Sequence, residues 1–134
     1  MIPVEEPIRV RYADTDQMGH ADYANTFCWF EQARGAWFRA RGVPYKELEA
    51  RGYRLPVVEA HARYRAEVCY DDVIVVKVRL TEVKRAAIRF EYEVVNTTTG
   101  RLATEGSTWH VLMGEARKAM SIPADLRELF EGGP

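Results

Sequence analysis

The clearest pattern of apolar positions predicts one long helix near the start of the chain. From Tyr23 to Arg41, apolar residues recur every three or four positions and form one broad face: Ala24, Phe27, Phe30, Ala33, Ala36, Trp37 and Ala40. Gly42 ends the pattern, and Pro44 follows it. Gly35 lies inside the pattern, where glycine costs about 1 kcal/mol relative to alanine. We therefore expect the helix to pack closely against another element at Gly35.

The other patterned segments predict five β-strands and a short terminal helix. Apolar and polar residues alternate in residues 8–12, 57–70, 73–85, 87–96 and 101–113. Two of these segments carry an apolar row that we expect to face the core: Val58, Ala60, Ala62, Tyr64, Ala66 and Val68 in one, and Ile88, Phe90, Tyr92 and Val94 in the other. Residues 121–130 predict a short helix with Pro123 in its first turn.

This order of elements predicts an α+β fold in a single domain, residues 1–134. A five-stranded antiparallel sheet would bury one face, and the long helix is the element large enough to cover it. One edge of such a sheet stays unpaired, which favours pairing with a second copy of the chain. We therefore expect a homodimer or a homotetramer.

Composition narrows the class of protein. The net charge is -1, which gives no reason to expect nucleic acid as a partner. No apolar run reaches the ~18 residues of a membrane helix, and the first ten residues lack the features of a signal peptide. We expect a cytoplasmic protein without membrane insertion. Cys28 and Cys69 are too few for a disulfide framework, so we expect two buried free thiols.

Three aspartates, a histidine and a glycine crowd into residues 12–25, YADTDQMGHADYAN. The spacing from Asp14 falls on a calcium-loop register, but Met18 and Asn25 stand where two of the oxygen ligands belong. Zinc would need partners for His20, and no second histidine or cysteine lies nearby along the chain. We therefore expect no metal.

Two interpretations of this segment remain. In a structural one, Asp22 caps the helix with Asn25 as its capping-box partner, and Asp14 braces the end of the strand. This interpretation does not explain Asp16. In a chemical one, the helix start stabilises an oxyanion while a carboxylate just before it acts as general base or nucleophile. That arrangement suits a thioester, because a thiolate leaves without strong need for a general acid.

The motifs resemble those of a known family. The segment YADTDQMGH, followed by A-N-x-F-x-x-F-E-Q-A-R at 24–34, resembles the opening of hot-dog fold acyl-CoA thioesterases of the 4-hydroxybenzoyl-CoA thioesterase family. The likeness continues through residues 57–80, with their E-x-x-x-x-Y and D-D turn, to IPADLREL near the end. It implies a hot-dog fold that hydrolyses acyl-CoA to free acid and CoA without a cofactor, since coenzyme A belongs to the substrate.

The resemblance also implies roles for individual residues. Asp16 falls on the catalytic aspartate, and the backbone N–H of Tyr23 on the group that polarises the thioester carbonyl. For His20 two interpretations stay open: it orients Asp16 or lines the pocket, or it is a hydrogen-bonded histidine of the loop. Tyr23 and Thr26 replace the His and Tyr that many bacterial members carry, so the acyl group is not transferable from the family. The substrate-binding set is Gly19, Asn25, Glu31, Glu59, Arg63, Arg65, Lys84, Arg85 and Arg89.

Within that set we expect different functions. Glu31 lies on the predicted helix, where some hot-dog thioesterases place their base, but an ion pair or a pocket wall is the favoured role. Glu59 faces a partner subunit. The basic residues are candidates for the phosphates of coenzyme A, although solvated strand faces explain each of them singly. Two alternatives stay open: a hot-dog dehydratase or hydratase that uses a histidine with a carboxylate, and a non-catalytic acyl-CoA-binding module.

Overall fold

A five-stranded antiparallel sheet forms the body of the protein. The structure, a computed structural model, describes residues 2–21 and 23–132. The strands are β1 (Val4–Arg9), β2 (Val57–Tyr64), β3 (Val73–Val83), β4 (Ala87–Asn96) and β5 (Arg101–Val111). Their order across the sheet is β1-β3-β4-β5-β2, so β1 and β2 are the edges. The predicted five-stranded antiparallel sheet is confirmed.

In the described part of the chain, three α-helices accompany the sheet: α1 (Asn25–Ala40), α2 (Tyr45–Ala50) and α3 (Ala124–Glu131). The long α1 and the terminal α3 were predicted, with boundaries that differ by a few residues. The six residues of α2 are too few to show a helical period, and the sequence did not predict it. Among the described residues, no helix has the length and apolar character needed to cross a membrane.

The first predicted strand was misplaced. The sequence pattern put it at residues 8–12, whereas β1 ends at Arg9 and Tyr12–Asp14 form a short 3-10 helix. The Asp14 carboxylate accepts the backbone N–H of Arg11 at 3.0 Å and its guanidinium at 2.9 Å, which turns the chain out of the strand. A local side-chain bond of this kind competes with the sheet ladder and leaves no trace in an alternating pattern.

The face of α1 that packs on the sheet is rotated from the predicted one. Its buried residues are Thr26, Trp29, Phe30, Ala33, Trp37 and Phe38. Phe27, predicted to face the core, is 40% exposed, and Cys28 is also exposed rather than buried. Gly35 was expected to allow close packing, but a Cβ there would meet only the Arg39 side chain of the same helix.

One glycine of the sheet does permit a close approach. Phe30 of α1 stacks on Tyr92 of β4, with ring centroids 4.0 Å apart and planes 5° from parallel. A Cβ on Gly106, the residue opposite Tyr92 in β5, would lie 2.6 Å from the Phe30 ring and 2.5 Å from the His61 carbonyl oxygen. The predicted inward row of β4 is confirmed around this contact: Ile88, Phe90, Tyr92 and Val94 are all buried.

The edge strand β2 lacks the burial that the sequence predicted. Ala62 and Tyr64 pair with Gly106 and Thr104, which face α1, so these residues do share the inner face. Yet Val58, at the register shift between Val57 and Glu59, is 55% exposed, and Tyr64 is 47% exposed. The apolar row of β2 is therefore uncovered in a single copy of the chain.

Candidate functional site

A closed turn carries Asp16. Thr15 and Ala21 form a β-bridge at its base, and the backbone N–H of Asp16 donates to the His20 carbonyl at 2.8 Å. Gly19 donates its N–H to the Asp16 carbonyl at 3.1 Å and has a φ of 82°, which side chains rarely adopt. Nothing lies within 4 Å of a Cβ built on Gly19. The left-handed φ of Gly19 therefore serves the turn.

The two carboxylate oxygens of Asp16 differ in their surroundings. Oδ1 accepts the backbone N–H of Met18 at 2.8 Å and that of His20 at 3.3 Å. Both hydrogen bonds that the described residues give this carboxylate end on Oδ1, and the side chain is exposed. Oδ1 thus fixes the orientation of the group and leaves Oδ2 available for chemistry.

Asp16 opens onto a pocket of about 500 Å³ between the start of α1 and the sheet. Its lining residues are Asp16, His20, Ala21, Tyr23, Thr26, Trp29, Tyr64, Arg65, Ala66, Glu67, Val68 and Thr104. The structure therefore brings together the three predicted catalytic residues and one of the predicted substrate-binding arginines.

Tyr23 stands in the wall of this pocket, two residues before α1 begins. Its carbonyl accepts the Thr26 N–H at 3.2 Å and the Tyr64 hydroxyl at 2.9 Å, and the two tyrosine rings meet edge to face. The helix start places the positive end of the α1 dipole here. Sequence reasoning assigned Tyr64 to the core-facing row and missed its contact with Tyr23, because only the fold brings the end of β2 to this place.

His20 does not orient Asp16 through its ring. The imidazole Nε2 lies 2.8 Å from a carboxylate oxygen of Glu67, whereas the backbone N–H of His20 reaches Asp16. Cys69 lies close as well, and the ligand atoms of these three side chains are all within 4.8 Å of one another. A cysteine therefore does lie near His20 in space, because folding brings Cys69 to it from a distant part of the chain.

Asp14 and Asn25 support the site from behind. Asp14 is 4% exposed and forms an ion pair with Arg11. Burial alone raises the pKa of Asp14, but the hydrogen bonds and charge of Arg11 outweigh it and hold that pKa below its usual value. Asn25 donates its amide to the Asp14 carbonyl at 2.8 Å, so its side chain ties the helix to the preceding turn. The predicted cap Asp22 lies outside the described residues.

Glu31 lies apart from Asp16. It borders a second cavity of about 480 Å³ beside α1, together with Arg34, Phe38, Leu55 and His110. As a predicted pocket wall Glu31 therefore faces a different cavity, and its contribution to substrate binding stays a prediction.

A chain of buried hydrogen bonds lies behind this second cavity. Arg34 donates to the Tyr92 hydroxyl at 3.1 Å, Tyr92 and Thr108 share a bond of 2.6 Å, and Thr108 lies 2.8 Å from His110 Nε2. His110 Nδ1 lies 2.9 Å from the Leu55 carbonyl, which can only accept, so Nδ1 carries the proton. Burial lowers the pKa of His110 to about 4.

Most of the other predicted binding residues lie on the face of the sheet that α1 does not cover. Glu59, Arg63 and Arg89 belong to this outer face, where Arg89 forms an ion pair with Glu91 at 3.2 Å. None of the three lines the Asp16 pocket.

Lys84 and Arg85 have partners near the end of the same sheet. The Lys84 ammonium lies 4.7 Å from the centre of the Trp109 ring, and Arg85 donates to the Ser121 hydroxyl at 2.8 Å. Arg65 lines the Asp16 pocket and pairs with Glu105. Phosphate binding by these residues stays a prediction.

Comparisons with known proteins agree with this geometry. The family model of the Thioesterase-like superfamily matches residues 10–130, and the chain belongs to that superfamily. The acyl-CoA thioesterase YbgC of Haemophilus influenzae is 32% identical over 69% of this chain and 68% of its own. The solved structure of a DHNA-CoA thioesterase from Staphylococcus aureus is 30% identical, with a TM-score of 0.91 over 97% of this chain and 89% of that one.

A third likeness concerns a solved 4-hydroxybenzoyl-CoA thioesterase. It is 25% identical, with a TM-score of 0.86 over 98% of this chain and all of its own, and it is an Asp-to-Asn mutant complexed with 4-hydroxybenzoyl-CoA. The neighbours establish the hot-dog fold that the sequence motifs implied and make the protein a thioester hydrolase by class.

Proposed function

We propose that the protein hydrolyses acyl-CoA to the free acid and coenzyme A at Asp16. The observation that carries the proposal is the asymmetry of the Asp16 carboxylate. Met18 and His20 hold Oδ1 through their backbone N–H groups, Oδ2 accepts no hydrogen bond from the described residues, and Asp16 lines a pocket at the start of a helix. A fixed carboxylate with one available oxygen, next to a positive dipole end, meets the needs of thioester hydrolysis.

In this reaction Asp16 acts on one side of the thioester carbonyl. It either takes a proton from water as water adds to the carbonyl carbon, or attacks that carbon itself before water releases the acid. The backbone N–H of Tyr23 stabilises the oxyanion, and the bond from carbon to sulfur breaks to release the CoA thiolate, which takes up a proton. No cofactor enters these steps.

The dehydratase alternative is less well supported. The pair that the sequence offered for it was His20 with Asp16, and the ring of His20 does not meet that carboxylate. The family model and the solved neighbours are those of thioesterases. Both cysteines are free thiols, consistent with a reducing compartment. We accordingly place the activity in the cytoplasm.

The proposed enzyme is a homodimer built on the free edge of β2. Val57, Val58 and Tyr64 expose apolar surface along this strand. Within the described residues Glu59 and Arg63 have no ion-pair partner. An antiparallel pairing of two β2 strands about a two-fold axis at His61 sets Glu59 of one copy opposite Arg63 of the other, twice. Opposite charges in directly opposed positions stabilise such a pairing.

A panel of acyl-CoA substrates tests the activity. Aliphatic esters of several chain lengths and aromatic esters are incubated with the protein, and free CoA is followed with a thiol reagent. Release of thiol with every turnover supports the proposal. A new enoyl chromophore without thiol would indicate a dehydratase, and saturable binding without turnover a binding module; either result overturns the proposal.

A further inference from the structure

Three metal-binding side chains meet at the mouth of the Asp16 pocket. His20 comes from the turn that carries Asp16, and Glu67 and Cys69 come from the segment after β2. His20 and Glu67 both line the pocket. The hydrolysis mechanism uses neither Glu67 nor Cys69, so their position beside His20 has no role in that reaction.

The backbone holds the three side chains on one face. His20 and Cys69 are directly opposite each other in an antiparallel bridge, an arrangement that turns both side chains the same way. Glu67, two residues before Cys69, lies on the same face of an extended segment. The two segments are joined by the Ala21 N–H, which donates to the Val68 carbonyl at 2.6 Å.

Cys69 is itself fixed in place. Its backbone N–H donates to a carboxylate oxygen of Asp72 at 2.9 Å, and the same oxygen accepts the Asn96 amide at 2.8 Å. The position of the thiol therefore follows from the fold and does not depend on a flexible tail.

The donor set matches zinc. An imidazole nitrogen, a thiolate sulfur and a carboxylate oxygen are the three ligand types that Zn²⁺ accepts, and bonds of about 2.0–2.3 Å separate tetrahedral ligands by about 3.5 Å. The ligand atoms lie within 4.8 Å of one another, with His20 and Glu67 2.8 Å apart. Shifts of about 1 Å in these side chains complete the geometry, and the side chains of His20 and Glu67 are 40% and 65% exposed.

We propose that His20, Glu67 and Cys69 form a zinc site whose occupation inhibits hydrolysis. Zinc displaces the thiol proton of Cys69, which passes to the buffer, and water fills the fourth position. The bound ion narrows the mouth of the pocket and adds positive charge beside Asp16. The inhibitory part of this inference rests on the proposed function, whereas the binding part does not.

Calorimetric titration of the metal-free protein with zinc chloride tests the site directly. We expect one zinc per chain in the wild type, and Cys69→Ser should weaken binding by at least about tenfold, the scale of even outer-shell changes at metal sites. Cys28→Ser is the matched control, because its thiol is exposed and lies outside the cluster. Cobalt titration adds a second readout, since thiolate-to-cobalt absorption should appear in the wild type and in Cys28→Ser but not in Cys69→Ser.

Thiol release from acyl-CoA then tests inhibition. Zinc should lower the rate of thiol release by the wild type and by Cys28→Ser, and a chelator should restore both rates. The rate of Cys69→Ser should not change with zinc. The site is refuted if Cys69→Ser binds zinc as tightly as the wild type, or if Cys28→Ser loses as much affinity. Zinc binding without a change in rate, or with a higher rate, would overturn the inhibitory role. A protein that binds zinc but hydrolyses no ester would instead count against the proposed function alone.

Discussion

The backbone N–H of Met18 donates to Oδ1 of Asp16 at 2.8 Å. This contact orients the carboxylate without using a second side chain, because the donor belongs to the same tight turn. The N–H of His20 reaches the same oxygen at 3.3 Å. A carboxylate held only by backbone keeps its geometry when neighbouring side chains change, so substitutions at Asp16 itself can be interpreted chemically.

Asp16→Asn should lower kcat by roughly a hundredfold or more, because an amide of the same size cannot act as base or nucleophile. KM should change much less, since the lost charge acts in the transition state. The amide oxygen can still accept from Met18, so we expect the melting temperature to stay close to that of the wild type. Steady-state thiol release and thermal unfolding measure both.

Asp125→Asn is the matched control for the catalytic test. Asp125 is exposed in the first turn of α3 and does not line the Asp16 pocket. It should retain wild-type turnover. If Asp16→Asn retains it too on the best acyl-CoA found, Asp16 is not the catalytic group, and Glu31 becomes the next carboxylate to test.

Asp14→Asn should destabilise the fold by about 1–2 kcal/mol at neutral pH, because it removes a buried partner of Arg11. The folded pKa of Asp14 lies below the unfolded value of about 3.9. The stabilisation is therefore complete above that unfolded value and disappears as the pH falls through the folded one. Urea unfolding of both proteins should show a stability difference at neutral pH that shrinks in strong acid. A difference that stays constant over that range would contradict the ion-pair explanation.

His110 should make the protein less stable in mild acid. Its folded pKa is about 4, below the ordinary value of about 6.5, so the unfolded chain takes up a proton that the folded protein refuses. Stability is complete above about 6.5 and declines as the pH falls towards 4, by at most about 3 kcal/mol. His110→Gln, less stable at neutral pH, should lose less stability over this interval. Urea unfolding across this pH range compares the two proteins, and the same slope in both would rule out His110 as the cause.

Gly106 and Gly35 should respond to alanine in opposite directions. A Cβ on Gly106 meets the Phe30 ring at 2.6 Å, an overpacking that typically costs about 1–3 kcal/mol. A Cβ on Gly35 meets only the mobile guanidinium of Arg39 at 3.3 Å, so helix propensity should dominate and add about 0.5–1 kcal/mol. Thermal unfolding of the two variants measures both changes in stability. A neutral Gly106→Ala would mean that the contact between α1 and the sheet adjusts more easily than the stacked rings suggest.

The proposed dimer should depend on the charges of β2. Light scattering at micromolar concentration should give twice the chain mass. Glu59→Arg sets like charges opposite each other twice, and we expect dimer dissociation to become about tenfold easier. Adding Arg63→Glu to it should restore the dimer. Glu5→Arg, on the opposite edge strand, is the control and should leave the mass unchanged. A fully active monomer would refute the dimer, and a double variant that stays dissociated would refute the register.

Patterns with a single cause were predicted correctly from the sequence. The alternation in β4 reflects one buried face, and the apolar residues of α1 recur with a helical period over many residues. The errors occur where tertiary context decides. The turn at Tyr12 depends on a bond between Arg11 and Asp14, and the exposed Val58 lies at a register shift between β2 and β5.

The same limit applies to the site. The motif placed Asp16, His20 and Tyr23 correctly in one pocket, because they are neighbours along the chain. Glu67 and Tyr64 lie more than forty residues further on and join them only when the end of β2 folds against the turn. Local sequence contains no signal for a contact between segments so far apart along the chain, so only the folded structure reveals it.

The hydroxyl of Tyr64 holds the carbonyl of Tyr23 at 2.9 Å, and Tyr64 is the last residue of the edge strand. The backbone at Tyr23, where a thioester carbonyl would bind, is thereby connected to β2, the edge strand at which two chains would pair. The activity of such an enzyme depends on its own concentration. On dilution the dimer dissociates, β2 loses contact with the second copy, and the start of α1 becomes less rigid, so turnover per chain should fall. A low concentration of the protein would then by itself lower the rate of hydrolysis per chain.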